Sequence, residues 1–468
     1  MKNRLIEPNQ AGRQTSTNLI GCSECCLEWL FKSPEQAAGE AFASQYTAPS
    51  DNAHRGFLAF AEPVRLSFSA ALCGILNFRK ARLSTMKSKP HVAVIGAGAF
   101  GGWSALHLLE RGARVTLLDA WGPGNSRASS GGETRIMRGT YGPEQPYSKL
   151  AARALGLWAK YERRWKRQFL HRTGVLWMVS STDDSYERES LALLREAKIK
   201  YREFSTAEMK KRWPQINFAD VRWGIYEPEC GYLDARTSCQ AVVDAFVSQG
   251  GMYRQVAVTD VAEDAPMRSV ALADGSRLKV DRYVFACGPW LGRLFPEAVG
   301  DLVQATKQDI FFFGPPAEDS HFTDAHLPVW GDHGKRFFYG IPGSDRRGFK
   351  LADDTRGEAF DPTGGERVVS PATLKRVREY MAFRFPAMKD APLIETRVCQ
   401  YEQTPDSHFI LDRHPRMDNV WLVGGGSGHG FKHGPAVGEL TADLVIKDGE
   451  PDAFWQLSRF KPQKYSVT

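Results

Sequence analysis

The chain has 468 residues, 61 Lys and Arg against 54 Asp and Glu for a net charge of +7, and 42% hydrophobic residues. That length suggests two to three domains with large cores, and the near-average composition excludes collagen-like, coiled-coil and wholly disordered chains. No run of about 18 uncharged apolar residues occurs, which argues against a membrane protein, and basic residues interleaved with acidic ones give no reason for a nucleic-acid partner.

Residues 1–85 mix Asn, Gln, Ser, Ala and Pro with short apolar pieces such as Cys26–Phe31. They carry seven acids and no targeting pattern, so they are expected to be a disordered or non-native extension, with Met86 as the natural start. Eight cysteines are too few for a disulfide scaffold, and the C-x-x-C of Cys22, Cys25 and Cys26 has no second pair. A reducing, cytoplasmic compartment and no metal site are expected. From His91 the pattern sharpens. Val92–Ile95 reads as a strand, Phe100–Arg111 as a helix closed by Gly112, and Arg114–Asp119 as a second strand. Helices follow over Pro146–Gln168, Ala235–Gln249 and Ala372–Phe385. Strands follow over Gly174–Ser180, Arg282–Cys287, Ile310–Phe313, Phe337–Ile341 and Val420–Val423, and Gly314–Leu327 and Ala352–Gly365 read as turn-rich. The alternation predicts an α/β domain with a second, antiparallel domain inserted into it.

Gly96-Ala97-Gly98-Ala99-Phe100-Gly101 follows the first strand and opens the helix. Gly96 suits the tight turn, Gly98 lets backbone approach a pyrophosphate, and Gly101 lets helix and strand pack closely. Asp119 ends the next strand about 20 residues on, where a carboxylate accepts from a ribose hydroxyl, so FAD or NAD is expected over NADP.

Three further stretches accompany this fingerprint: Ser129-Ser130-Gly131-Gly132-Glu133-Thr134-Arg135-Ile136-Met137-Arg138 with Tyr141-Gly142; Cys399-Gln400-Tyr401-Glu402-Gln403-Thr404-Pro405-Asp406; and Gly424-Gly425-Gly426-Ser427-Gly428-His429-Gly430-Phe431-Lys432. Together they resemble the monomeric sarcosine oxidase family of FAD-dependent amine oxidases, in the D-amino-acid-oxidase-like superfamily, over about Pro90 to Pro462. The resemblance implies a Rossmann-like FAD-binding domain of glutathione-reductase type (88–171, 231–302 and 401–462). It also implies an inserted α+β substrate domain on a mixed, largely antiparallel sheet (172–230 and 303–400).

It implies, too, oxidation of a secondary-amine amino acid by hydride transfer to FAD, with O₂ giving H₂O₂, in a monomer. An acceptor other than O₂, and a flavin-binding protein without activity, are the alternatives. By match to the family, Gly96, Gly98, Gly101, Asp119, Ser129, Thr134, Arg135, Gly428, Gly430 and Lys432 contact the cofactor. Cys399 bonds covalently to the flavin, its thiolate favoured by a basic neighbour such as Arg397. Arg138 and Lys432 grip the substrate carboxylate. Arg135, His429, Tyr339 and Tyr401 line the reacting site, and Lys350 activates oxygen as a fixed cation. One position departs from the family: sarcosine-oxidising members carry a histidine four residues after that lysine, and here Asp354 stands there. An acceptor-only carboxylate points away from sarcosine toward a substrate with a second cationic or hydroxyl group, unless a different loop leaves Asp354 in solvent.

Overall fold

The computed structural model describes residues 89–261, 265–343 and 347–460. The extension, Cys22, Cys25, Cys26 and Met86 lie outside the described residues. The described residues form one compact unit.

Its first sheet has six strands in the order Ile410–His414, Met417–Gly424, Arg282–Phe285, His91–Ile95, Arg114–Asp119, Met252–Gln255. All neighbours are parallel except the first pair. Val92, Ala93 and Val94 have no exposed surface, because both faces of the sheet are covered. Val92 and Val94 pack with helix residues such as Leu106 and Val242, and Ala93 with Val270 and Leu272 of a three-stranded sheet (Val258–Val261, Val270–Leu272 and Arg277–Leu278), so the central strand becomes a continuous apolar run. The helix Ala99–Glu110 follows directly and ends at Gly112, whose φ of +87° is the left-handed conformation that closes a helix with little strain. The helix expected to reach Gln168 spans Gln145–Trp165. Lys166 turns left-handed at φ 53° and ends it early.

The second sheet has eight strands in the order Leu393–Gln403, Gln304–Phe313, Phe349–Asp353, Phe337–Ile341, Val329–His333, Val175–Val179, Trp223–Glu227, Arg202–Ser205. Only Val329–His333 and Val175–Val179 pair in parallel. This is the mixed, largely antiparallel sheet expected. The helix Pro371–Arg384 places Val377 and Met381 against Trp330, Phe349 and Leu351 of this sheet. Two details differ from expectation. Ala352 and Asp353 finish a strand instead of opening a turn, and Leu393–Gln403 runs unbroken through the boundary placed at 400/401. A small antiparallel sheet of Thr134–Met137, Gly231–Asp234 and Leu170–His171 carries Arg135. No helix among the described residues is long and apolar enough to cross a membrane.

Candidate active site

The glycine turn leaves the central strand of the first sheet into a cavity of about 300 Å³. Gly96 has φ +105°, and a Cβ there would stand 2.2 Å from the Ala286 carbonyl oxygen; one on Gly101 would stand 1.8 Å from that of Gly96. A side chain at either position would push the helix off the strand. Gly98 faces the cavity, and the closest atom to a Cβ there is Ser130 Oγ at 3.3 Å. The helix N-terminus has no side-chain cap, apart from Ser130 Oγ accepting from Ala99 N at 3.0 Å, so its dipole faces the space beside Gly98.

Asp119 lines the same cavity. Its carboxylate accepts from Ala97 N (2.7 Å), Trp121 N (2.9 Å) and Gly122 N (2.8 Å), so it ties the glycine loop to the second strand as well as facing the ligand space. Burial raises its pKa, and these N–H groups offset part of that rise. Ser129 Oγ is buried at the wall without a partner among the described residues. A glycine cradle, an open helix end, a ribose-side acid and an unpartnered hydroxyl fit the dinucleotide of FAD.

A second cavity of about 290 Å³ adjoins the first, since Arg135, Tyr401, Gly428 and Phe431 line both. It collects the remaining expected site residues: Thr134, Arg138, Tyr339, Lys350, Asp354, Cys399, His429 and Lys432. Gly430 lines only the first cavity and Lys432 only the second. At φ +80°, Gly428 lies against Tyr401, where a Cβ would stand 2.5 Å from the ring.

Lys432 is 4% exposed, and its Nζ donates to Tyr141 Oη (2.8 Å) and the His429 carbonyl (2.7 Å), which leaves one of three N–H groups for a ligand. Arg138 lies between two rings, with Cζ 4.4 Å from the Tyr141 centroid and 4.9 Å from that of Trp177, and also donates to the Thr140 carbonyl. Such a sandwich holds the guanidinium plane while leaving donors on its edge. Burial, and then Arg138, hold the Lys432 pKa well below the usual lysine range. His429 Nε2 faces the Ser407 carbonyl at 3.0 Å, so Nε2 is the donor; burial and then Lys432 keep the ring neutral.

Asp354 is not in solvent. It lines the second cavity, and its Oδ1 accepts from Tyr401 Oη at 2.7 Å. Burial lifts its pKa to about 6 against the opposing effect of that hydrogen bond. Lys350 is 4% exposed, and its Nζ donates to the Thr134 carbonyl at 3.1 Å, the same oxygen that Arg135 reaches at 2.8 Å. Burial and then Arg135 bring Lys350 down to about 7.

The cation beside Cys399 is not Arg397. Arg397 pairs with Glu395 (2.5 Å) and Glu133 (3.3 Å), whereas an Arg135 nitrogen lies 3.4 Å from Cys399 Sγ. Sequence reasoning assigned no role to Tyr141 or Trp177. Tyr141 is the hub that Lys432, His433 (2.7 Å) and His429 (3.3 Å) share. Its only sequence signal was its place three residues after Arg138; Trp177 had none, because its strand is buried along its whole length.

The sequences and folds of known proteins place this geometry. A monomeric sarcosine oxidase from Bacillus sp. (strain B-0618) is 29% identical over 362 residues, covering 76% of this chain and 92% of that one. A peroxisomal sarcosine oxidase from Homo sapiens is 28% identical, covering 76% and 91%. The solved L-proline dehydrogenase from P. horikoshii shares the fold at a TM-score of 0.70 and 21% identity, over 80% of this chain and 98% of that one. Residues 91–444 match the DAO family, FAD dependent oxidoreductase, and with a dinucleotide cradle opening onto a cation-lined cavity, the chain belongs to that family of FAD-dependent oxidoreductases.

Proposed function

We propose that the protein is an oxidase of amino acids that carry a secondary amine, acting on the CH–NH bond of an N-alkyl or cyclic imino acid as a monomer in a reducing compartment. The observation that carries this reading is the placement of Arg138 and Lys432 in the cavity that adjoins the dinucleotide cavity across Arg135, Tyr401, Gly428 and Phe431. Bound FAD supplies the hydride acceptor, and O₂ takes the electrons to give H₂O₂. The chain's own residues do the rest. Arg138 and Lys432 hold the carboxylate and so fix which carbon faces the ring. Tyr339, Phe337 and Trp177 wall the cavity and exclude water. A peroxide-coupled screen of N-methylated, cyclic and glycated amino acids under air tests the reading. Substrate that reduces the enzyme without peroxide would move it to another electron acceptor.

Asp354 narrows the substrate. A carboxylate in the same cavity as the Arg138–Lys432 pair favours a substrate with a cationic or hydroxyl group beyond its carboxylate. With a pKa of about 6, it is charged above that pH, so affinity for a cationic substrate should rise with pH through about 6. Asp354→Asn should flatten that rise and leave the turnover of neutral N-methyl amino acids within about threefold. Neutral N-methyl amino acids far outperforming cationic or polyol-bearing ones in the wild type would refute the assignment.

We also propose a covalent bond between Cys399 and the flavin. The support is the place of Cys399 in the cavity that adjoins the dinucleotide cavity, its Sγ 3.4 Å from a nitrogen of Arg135, which lines both. Acid precipitation of the wild type should leave the yellow colour with the protein, and Cys399→Ser should release it. Full release from the wild type would end the covalent assignment.

A further inference from the structure

Glu402 follows Tyr401 on the strand Leu393–Gln403 and, unlike Tyr401, lines only the dinucleotide cavity. It is 9% exposed, and no ion pair among the described residues holds it. Its carboxyl faces the backbone N–H groups of Gly426 and Gly425, and Oε2 has no partner among the described residues. Three glycines make its space: a Cβ on Gly426 would stand 2.9 Å from Oε1, one on Gly288 3.4 Å and one on Gly424 3.7 Å from Oε2. Nothing among the described residues explains a buried carboxyl oxygen left unpaired, which ordinarily costs stability.

Its position supplies the reason. Gly98 and the helix end mark where the pyrophosphate belongs, and Arg135, Tyr401, Gly428 and Phe431 mark where the ring meets the substrate cavity. Glu402 joins the two marks: Tyr401 precedes it on the strand, and its Oε2 faces Gly288, two residues on from the Ala286 carbonyl that the Gly96 turn packs against, within electrostatic range of Cys287. The part of FAD that spans this interval is the ribityl linker, a chain of hydroxyl donors. We propose that Glu402 is a cofactor-binding residue whose carboxylate accepts a hydrogen bond from a ribityl hydroxyl of FAD. This rests on the family's flavin and not on the substrate reading.

Before FAD arrives, burial lifts the Glu402 pKa to about 7, against the effect of the Gly426 and Gly425 N–H groups. The titratable groups around it are Cys287 across the cavity, whose thiol burial pushes far up, Tyr401 beside it, likewise raised, and Asp119 farther along the wall. Cys287 and Tyr401 stay neutral between pH 6 and 8, and Asp119 is unchanged in all of the variants compared. Lys350 and Asp354 titrate in the adjoining cavity and are common to every variant below. A hydroxyl that donates to the carboxylate favours its charged form, so FAD should bind more tightly as pH rises through about 7.

The test uses the full chain with Cys399→Ser, so that attachment cannot mask affinity, and measures the Kd for FAD by flavin fluorescence at pH 6 and pH 8. Affinity should rise by up to about tenfold between those pH values in the parent, and Glu402→Gln should lose that extra rise. Glu402→Leu should weaken binding at pH 8 by about tenfold or more, with the melting temperature of the cofactor-free protein unchanged or higher. Equal pH dependence in the parent and Glu402→Gln would overturn the proposal, as would Glu402→Leu binding FAD within about twofold of the parent. If Glu402→Leu does not fold, the Gln comparison decides alone.

Discussion

Lys350→Met is expected to slow reoxidation of the reduced enzyme by O₂ by about 100- to 1000-fold while changing its anaerobic reduction by substrate less than about threefold. Electron transfer to O₂ creates a negative charge, and a cation already in place stabilises it without reorganisation. Lys350 meets that requirement. Its Nζ is anchored on the Thr134 carbonyl, it is almost wholly buried, and it opens on the cavity that touches the dinucleotide cavity. Its depressed pKa sets the sign of the pH dependence. Lys350 is charged below about 7, so reoxidation should slow as pH rises past its pKa. A negative charge arriving nearby raises that pKa, so the falling limb lies at or above 7. Lys350→Met should lack the limb. Because the folded protein depresses this pKa below the unfolded value, burying the charged form costs stability, and the Met variant should melt no lower than the wild type. Stopped-flow traces in which both half-reactions slow equally, or neither does, would defeat the assignment.

Why some of this was readable in the sequence and some was not follows from the range of each interaction. The glycine turn, its strand and helix, and Asp119 are a local unit within about 30 residues, whose spacing reports backbone geometry directly. The site cations are different. Arg138 and Lys432 stand 294 positions apart in the chain, and only their match to a family pattern linked them. Their setting came from packing: Trp177 reaches Arg138 from a strand of another sheet, and a fully apolar strand gives no sign of which residue faces a cavity. The same reason explains the misassigned partner of Cys399. Arg397 is its neighbour along the strand, but Glu133 and Glu395 draw that side chain away, and Arg135 arrives from the small sheet instead. Glu402 carries no such signal, because an acid in a polar strand looks ordinary. Its significance appears only once Gly288, Gly424 and Gly426 are seen to make room for it.

Arg138→Met should lower kcat/KM for amino acid substrates by about 100- to 1000-fold, the range for removing one partner of a buried charge pair. The loss should fall mainly on KM, because the carboxylate is held alike in the ground and transition states and does not itself react. Arg138→Lys keeps the charge but loses the planar edge and the fit between Tyr141 and Trp177, so it should recover only part of the loss. Lys432→Met acts on the same carboxylate, so the double variant should lose less than the two single effects combined. The control is an amine that lacks a carboxylate. It gains nothing from either cation, so its kcat/KM should be little changed by Arg138→Met, and a simple carboxylate that inhibits the wild type should bind the variant poorly. Equal losses for amines with and without a carboxylate would mean that Arg138 shapes the cavity and does not read the substrate's charge.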